Sequence, residues 1–284
     1  MDRQDVQHLV WWAKDRVRGF MTGLHRSPDF GFSLDFAQHR AYVPGDAPKF
    51  IDWSVLARQD KVLTKQYEAE SNLRAYFVLD SSSSMSVEYE GKSKWGYAVE
   101  MFALLATILQ KQRDAMGLME VCQDGHRYFE AKNTSEQISS MLAHIQGTSS
   151  TNRGNADFGA AFDELLSRVP ARSQIIVFLD AFETRLEQFE RSLARAVHGK
   201  HQLMVVAFDH PQEHEARHLQ GREVVDAETG ERMFFTKELQ ASYAEFQLRQ
   251  INAMESLTGK VGGKFYKMNV EDDVLVSLSK LVGA

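Results

Sequence analysis

Asp80, Ser82 and Ser84 stand two residues apart in the run Asp80-Ser81-Ser82-Ser83-Ser84. A carboxylate and two hydroxyls at i, i+2 and i+4 suit the binding of a hard divalent cation such as Mg²⁺. Such ions take oxygen ligands, and a loop of this spacing can turn all three side chains toward one point. The competing reading is a polar turn whose Asp and Ser side chains bond to nearby backbone groups. A further carboxylate, Asp180, ends the apolar run Gln174 to Leu179 just as Asp80 ends Ala75 to Leu79. Its competing role is the N-cap of a following helix, for which Thr184 is the better placed residue.

The same residues argue against catalysis. A haloacid-dehalogenase-like phosphatase would use Asp80 as nucleophile and a second carboxylate two positions on as general acid, and Ser82 cannot do that work near neutrality. No Gly-x-Ser-x-Gly elbow surrounds the serines, so a serine hydrolase is disfavoured. His210, His214 and His218 recur every fourth residue after a strand, but Pro211 and the interleaved Glu213, Glu215 and Arg217 fit a solvated surface helix better than a transition-metal site. Gly259 to Lys264 lacks the spacing of a phosphate-binding loop. The chain is therefore expected not to be an enzyme.

Both aspartates need strands behind them, and the apolar pattern supplies these. Strands are expected at 75–79, 174–179 and 203–208, with a short one at 264–267. Helices are expected at 94–112, 135–145, 157–168 and 237–257, with a last one from 271. Hairpins fit 116–129, around Gln123-Asp124-Gly125, and 222–235. Alternating strands and helices specify an α/β fold with a mostly parallel central sheet and helices on both faces. In such sheets ligands bind beyond the carboxyl ends of the strands, near the switch in strand order, where Asp80 and Asp180 would face one crevice. Residues 1–20 read as an amphipathic helix. The stretch 31–60, with Pro44-Gly45-Asp46 and Phe50-Ile51-Asp52-Trp53, reads as irregular structure. The Asp46, Asp52, Trp53 and Arg58 block suits a structural clasp or a partner surface.

With 284 residues, 43% of them hydrophobic, the chain can bury a core without covalent staples. The net charge of −6, with basic residues scattered singly, disfavours nucleic acid as a partner. Cys122 is the one cysteine, which excludes an intrachain disulfide and fits a reducing compartment. The apolar stretches are too short for stable membrane insertion. A cytoplasmic location is expected.

The order strand, Asp-x-Ser-x-Ser, helix, hairpin, helix pair, strand ending in Asp resembles the von Willebrand factor A fold with its metal-ion-dependent adhesion site. More narrowly, the chain resembles the bacterial domain-of-unknown-function fifty-eight family. The residues that carry this are Gly45-Asp46-Ala47-Pro48-Lys49-Phe50-Ile51-Asp52-Trp53 and Lys65-Gln66-Tyr67-Glu68-Ala69-Glu70, with the later Asp209-His210-Pro211-Gln212-Glu213 and Val225 to Gly230. The resemblance implies a von Willebrand factor A-like domain over 71–284 and a family-specific segment over 1–70. That segment, a separate lobe or wrapped on the domain, is expected to pack on it because it has aromatic and apolar residues but little room for its own core. It also implies a non-enzymatic partner of MoxR-type AAA+ ATPases that assembles, matures or remodels client protein complexes.

In the family pattern the second metal loop places a Thr ligand where this chain has Ala156, within Gly154 to Phe162. Thr151, five residues earlier, is the substitute. The implied set for Mg²⁺ is thus Asp80, Ser82, Ser84, Asp180 and Thr151. The alternative is a structural scaffold subunit with a vestigial metal site.

Overall fold

The computed structural model describes residues 3–23, 34–43, 51–59, 62–69, 73–122, 125–147, 158–181, 186–215, 220–225 and 231–282. The chain divides into two compact units, Met1–Ser27 with Leu73–Ala284, and Pro28–Asn72.

Helix α1 (Arg3–Gly23) belongs to the larger unit, because Ala13 and Val17 on its apolar face are fully buried in that unit's core. In the smaller unit β1 (Leu34–Ala41) pairs antiparallel with β2 (Leu63–Ala69), and α2 (Trp53–Gln59) lies between them in sequence. The irregular reading of 31–60 missed β1. A register shift between Phe36 and Gln38 breaks the alternation of period two by which a strand is recognised in sequence. Asp52, nearly buried, caps α2: its Oδ1 accepts the Val55 N–H at 3.2 Å and its carbonyl accepts the Leu56 N–H. That is a local structural role, while Trp53 and Arg58 are exposed.

The larger unit continues with β3 (Arg74–Asp80), a 3₁₀ turn at Ser83–Ser86, and a small hairpin of β4 (Glu88–Tyr89) and β5 (Lys92–Ser93). Glu90 and Gly91 have positive φ angles of 51° and 78°, as a two-residue hairpin loop requires. Next come α3 (Lys94–Lys111), β6 (Ala115–Cys122), β7 (Gly125–Lys132), α4 (Ser135–Gly147), α5 (Phe158–Arg168) and β8 (Gln174–Asp180). Then follow α6 (Leu186–His198), β9 (Gln202–Asp209), the short α7 (Pro211–Glu215) and the hairpin of β10 (Glu223–Val225) and β11 (Arg232–Phe234). α8 (Lys237–Lys260), β12 (Lys264–Asn269) and α9 (Val274–Val282) complete the unit.

The central sheet has the order β12-β9-β8-β3-β6-β7, parallel except for β7, which pairs antiparallel with β6. The interior strands are apolar on both faces because helices cover both. On one face Phe77, Phe178 and Phe208 form a row across β3, β8 and β9, with Phe77 edge-on to Phe102 of α3 at 4.8 Å and Phe178 edge-on to Phe208 at 5.2 Å. On the other face Val78, Val177 and Val205 pack with Phe162 and Phe189 of α5 and α6. Gly117 on β6 admits no side chain, since a Cβ there would lie 2.7 Å from the Phe129 carbonyl and from the Tyr76 ring. Among the described residues no helix is long and apolar enough to cross a membrane.

Candidate functional site at the carboxyl end of the sheet

β3 is flanked by β6 on one side and β8 on the other, so the strand order switches direction between β3 and β8. Adjacent strands part beyond such a point and leave a crevice. Asp80 ends β3, Asp180 ends β8 and Asp209 ends β9, and all three are nearly buried. The ladder carries on one residue beyond each of the first two, with the Ser81 N–H donating to the Val121 carbonyl and the Ala181 N–H to the Phe208 carbonyl. The carboxylates are thus set by sheet hydrogen bonds and not by loop conformation.

The serine run forms a compact turn. Asp80 Oδ1 accepts the Ser82 N–H at 2.8 Å, Ser81 Oγ donates to the Val121 carbonyl at 2.8 Å, and the Ser82 and Ser84 hydroxyls lie 3.0 Å apart. Asp80, Ser82 and Ser84 are therefore gathered together. Thr151 and Ala156 lie outside the described residues.

Asp180 has a partner the sequence reading did not assign. Lys94 Nζ lies 2.7 Å from Asp180 Oδ2 and 2.8 Å from both carboxylate oxygens of Glu213 on α7. The Lys94 side chain is only 2% exposed. Burial alone would lower its pKa, but the two carboxylates outweigh burial and raise it, so Lys94 stays an ammonium. Burial pushes Glu213 up to about 7 against the pull of Lys94. Tyr89 of β4 is pushed up to about 12, first by burial and then by the Glu213 carboxylate. Tyr243 of α8 is raised for the same two reasons. His210 stacks obliquely on Tyr89 at 4.7 Å and is kept toward its neutral form by burial. Asp209 has its own lysine, Lys267, at 2.8 Å.

The family-implied Mg²⁺ fits one half of this arrangement and not the other. The Asp80, Ser82 and Ser84 oxygens have the right chemistry. Asp180, however, already faces a cation. Two unit charges about 4 Å apart repel by about 4 kcal/mol at an effective dielectric of 20, and a divalent ion doubles that. A metal ion on Asp180 would share that carboxylate with the Lys94 ammonium already bound to Oδ2 and sit against its charge, so the residues present fit one poorly there. Among the described residues no group of three or more His, Cys, Asp or Glu side chains is placed to hold a metal ion.

Lys94 had a sequence signal. It is the first residue of α3, after the N-cap Ser93, whose Oγ accepts the Gly96 N–H at 3.1 Å. A cation in the first turn opposes the helix dipole by about 0.3–1 kcal/mol. This is a weak signal that does not by itself require a partner: Lys237 starts α8 in the same way and is exposed. Glu213 gave no such signal, since a glutamate in a short polar helix reads as solvated. His210, placed at the surface by its four-residue spacing with His214 and His218, is buried just before α7 begins.

Residues 38–254 match the family model described as Protein of unknown function DUF58. The chain belongs to this family. This DUF58 chain is 23% identical over 226 residues to the uncharacterized protein Rv1480 of Mycobacterium tuberculosis, an alignment spanning 79% of the chain and 70% of the relative. Among solved structures it is similar to the BatB protein of Bacteroides thetaiotaomicron, with a TM-score of 0.47, 13% identity, and coverage of 74% of this chain and 97% of that one. It is similar also to the SpRpn10 VWA domain, with a TM-score of 0.44, 12% identity, and coverage of 74% and 94%.

Proposed function

We propose that this chain is a non-enzymatic protein-interaction module. It works with a MoxR-type AAA+ ATPase in the assembly, maturation or remodelling of a client protein complex, and it engages its partner at the carboxyl end of the sheet. Membership of the DUF58 family and the construction of that end support this reading. The observation that carries it is the pairing of the polar groups there with one another: Ser82 with Ser84, Asp80 with the Ser82 amide, Asp180 and Glu213 with Lys94. A hydrolase would need a nucleophile held against a base, whereas Ser82 has a second serine beside it. Fixed polar groups at a strand-end crevice suit recognition of a partner.

The Lys94–Asp180 pair favours a second reading, a scaffold subunit whose adhesion-type site has lost its metal. The two readings differ in whether this end of the sheet touches the partner. Size-exclusion chromatography of the chain with a MoxR-type ATPase from the same organism, in ATP and in ADP, tests both. The interaction reading expects co-elution that is lost in an arginine variant of the half-buried Ser84, Ser84→Arg, with an unchanged melting temperature. Co-elution indifferent to that substitution favours the scaffold. No co-elution in either nucleotide overturns the interaction reading, and turnover of a phosphoester overturns both.

A further inference from the structure

We propose that the cation of this site is built into the chain: the Lys94 ammonium, held between Asp180 and Glu213, stands in the place of a divalent metal ion and makes the site metal-independent.

The geometry is that of a ligated cation. An ammonium has three N–H donors and no acceptor, and Nζ has Asp180 Oδ2 at 2.7 Å and both Glu213 oxygens at 2.8 Å around it. Three elements converge to make it. The β4–β5 hairpin and the Ser93 cap fix the start of α3, the end of β8 supplies Asp180, and α7, immediately after β9, supplies Glu213. Placing a lysine at a helix start, nearly buried, is unfavourable twice over, by dipole and by desolvation. The two carboxylates offset both costs. The charge requirement of Asp180 is met inside the chain, and no separate ion is needed to meet it. An acidic side chain of a partner could reach Lys94 only by displacing Glu213.

This inference rests on reading the carboxyl end of the sheet as the interaction site, but it is tested on the isolated chain, so failure of the partner experiment leaves it standing and the reverse also holds. The thermal midpoint is followed against Mg²⁺ and against EDTA for the wild type, Asp180→Asn and Lys94→Ser. The expected result is a wild-type midpoint that does not move with either reagent. Lys94→Ser, with two carboxylates facing the vacated space, is expected to melt lower and to gain a saturable upward shift with Mg²⁺, because a ligand bound only by the folded state stabilises it by mass action. A saturable Mg²⁺ shift in the wild type that Asp180→Asn abolishes overturns the proposal. So does a Lys94→Ser chain that ignores Mg²⁺, whether it folds or stays unfolded at every Mg²⁺ concentration.

Discussion

Lys94 and Asp180 are 86 positions apart in the chain, yet the Lys94 Nζ and the Asp180 Oδ2 lie 2.7 Å apart at the carboxyl end of the sheet, both side chains nearly buried. The contact ties the start of α3 to the end of β8 across the point where strand order switches. The polar chemistry of the crevice is organised around it.

Removing one partner of such a pair strands the other. Lys94→Met leaves Asp180 and Glu213 facing each other without a cation, and the expected loss is about 3–5 kcal/mol. Urea unfolding measures it. Lys94→Met combined with Asp180→Asn is expected to lose clearly less than the two single losses added together. Simple additivity would mean that the pair does not interact.

Glu213 gives the site a pH signature. Burial raises its pKa from 4.5 to about 7 in the folded chain, with Lys94 pulling the other way and the Asp180 and Asp209 carboxylates pushing it further up. Between those values the folded state binds more protons than the unfolded one, so this group's contribution to stability is present below about pH 4.5 and is lost as pH rises through about 7. Tyr89 and Tyr243, which face the same carboxylate, remain neutral across that window. Glu213→Gln removes the effect. Its stability relative to the wild type is expected to increase from acid to neutral pH in parallel denaturation series; a constant difference would refute the assignment.

Asp80 acts on its own turn. Its Oδ1 accepts the Ser82 N–H at 2.8 Å in a buried setting. Asp80→Ala leaves that donor unpaired, at a cost of about 1–3 kcal/mol. Asp80→Asn keeps an acceptor in place and is expected to cost clearly less. Equal losses would show that the charge of Asp80, and not its oxygen, supports the loop.

Much of the large unit was legible in the sequence because its strands are short apolar runs and its helices carry apolar faces. The run 174–179 can only be a buried strand at that length and composition, and it is β8. The Asp-x-Ser-x-Ser spacing likewise marked the residues that gather beyond β3. β1 was not legible, because the irregularity at Phe36 to Gln38 disrupts its alternation. The triad was not legible either. Lys94, Asp180 and Glu213 come from three distant segments, and only packing of α3 and α7 over the sheet end brings them together. A lysine at a helix start does not by itself indicate a buried partner, as the exposed Lys237 at the start of α8 shows, and only the fold pairs Lys94 with Asp180 and Glu213.

The most direct measurement is a crystal structure of the chain grown with Mn²⁺, with data collected at a wavelength where manganese scatters anomalously. The Lys94 nitrogen is expected between Asp180 and Glu213 at 2.7–2.8 Å, with no anomalous peak beside Ser82, Ser84 or Asp180. An anomalous peak at roughly 2.1 Å from those oxygens, with Lys94 turned out of the crevice, would contradict this expectation.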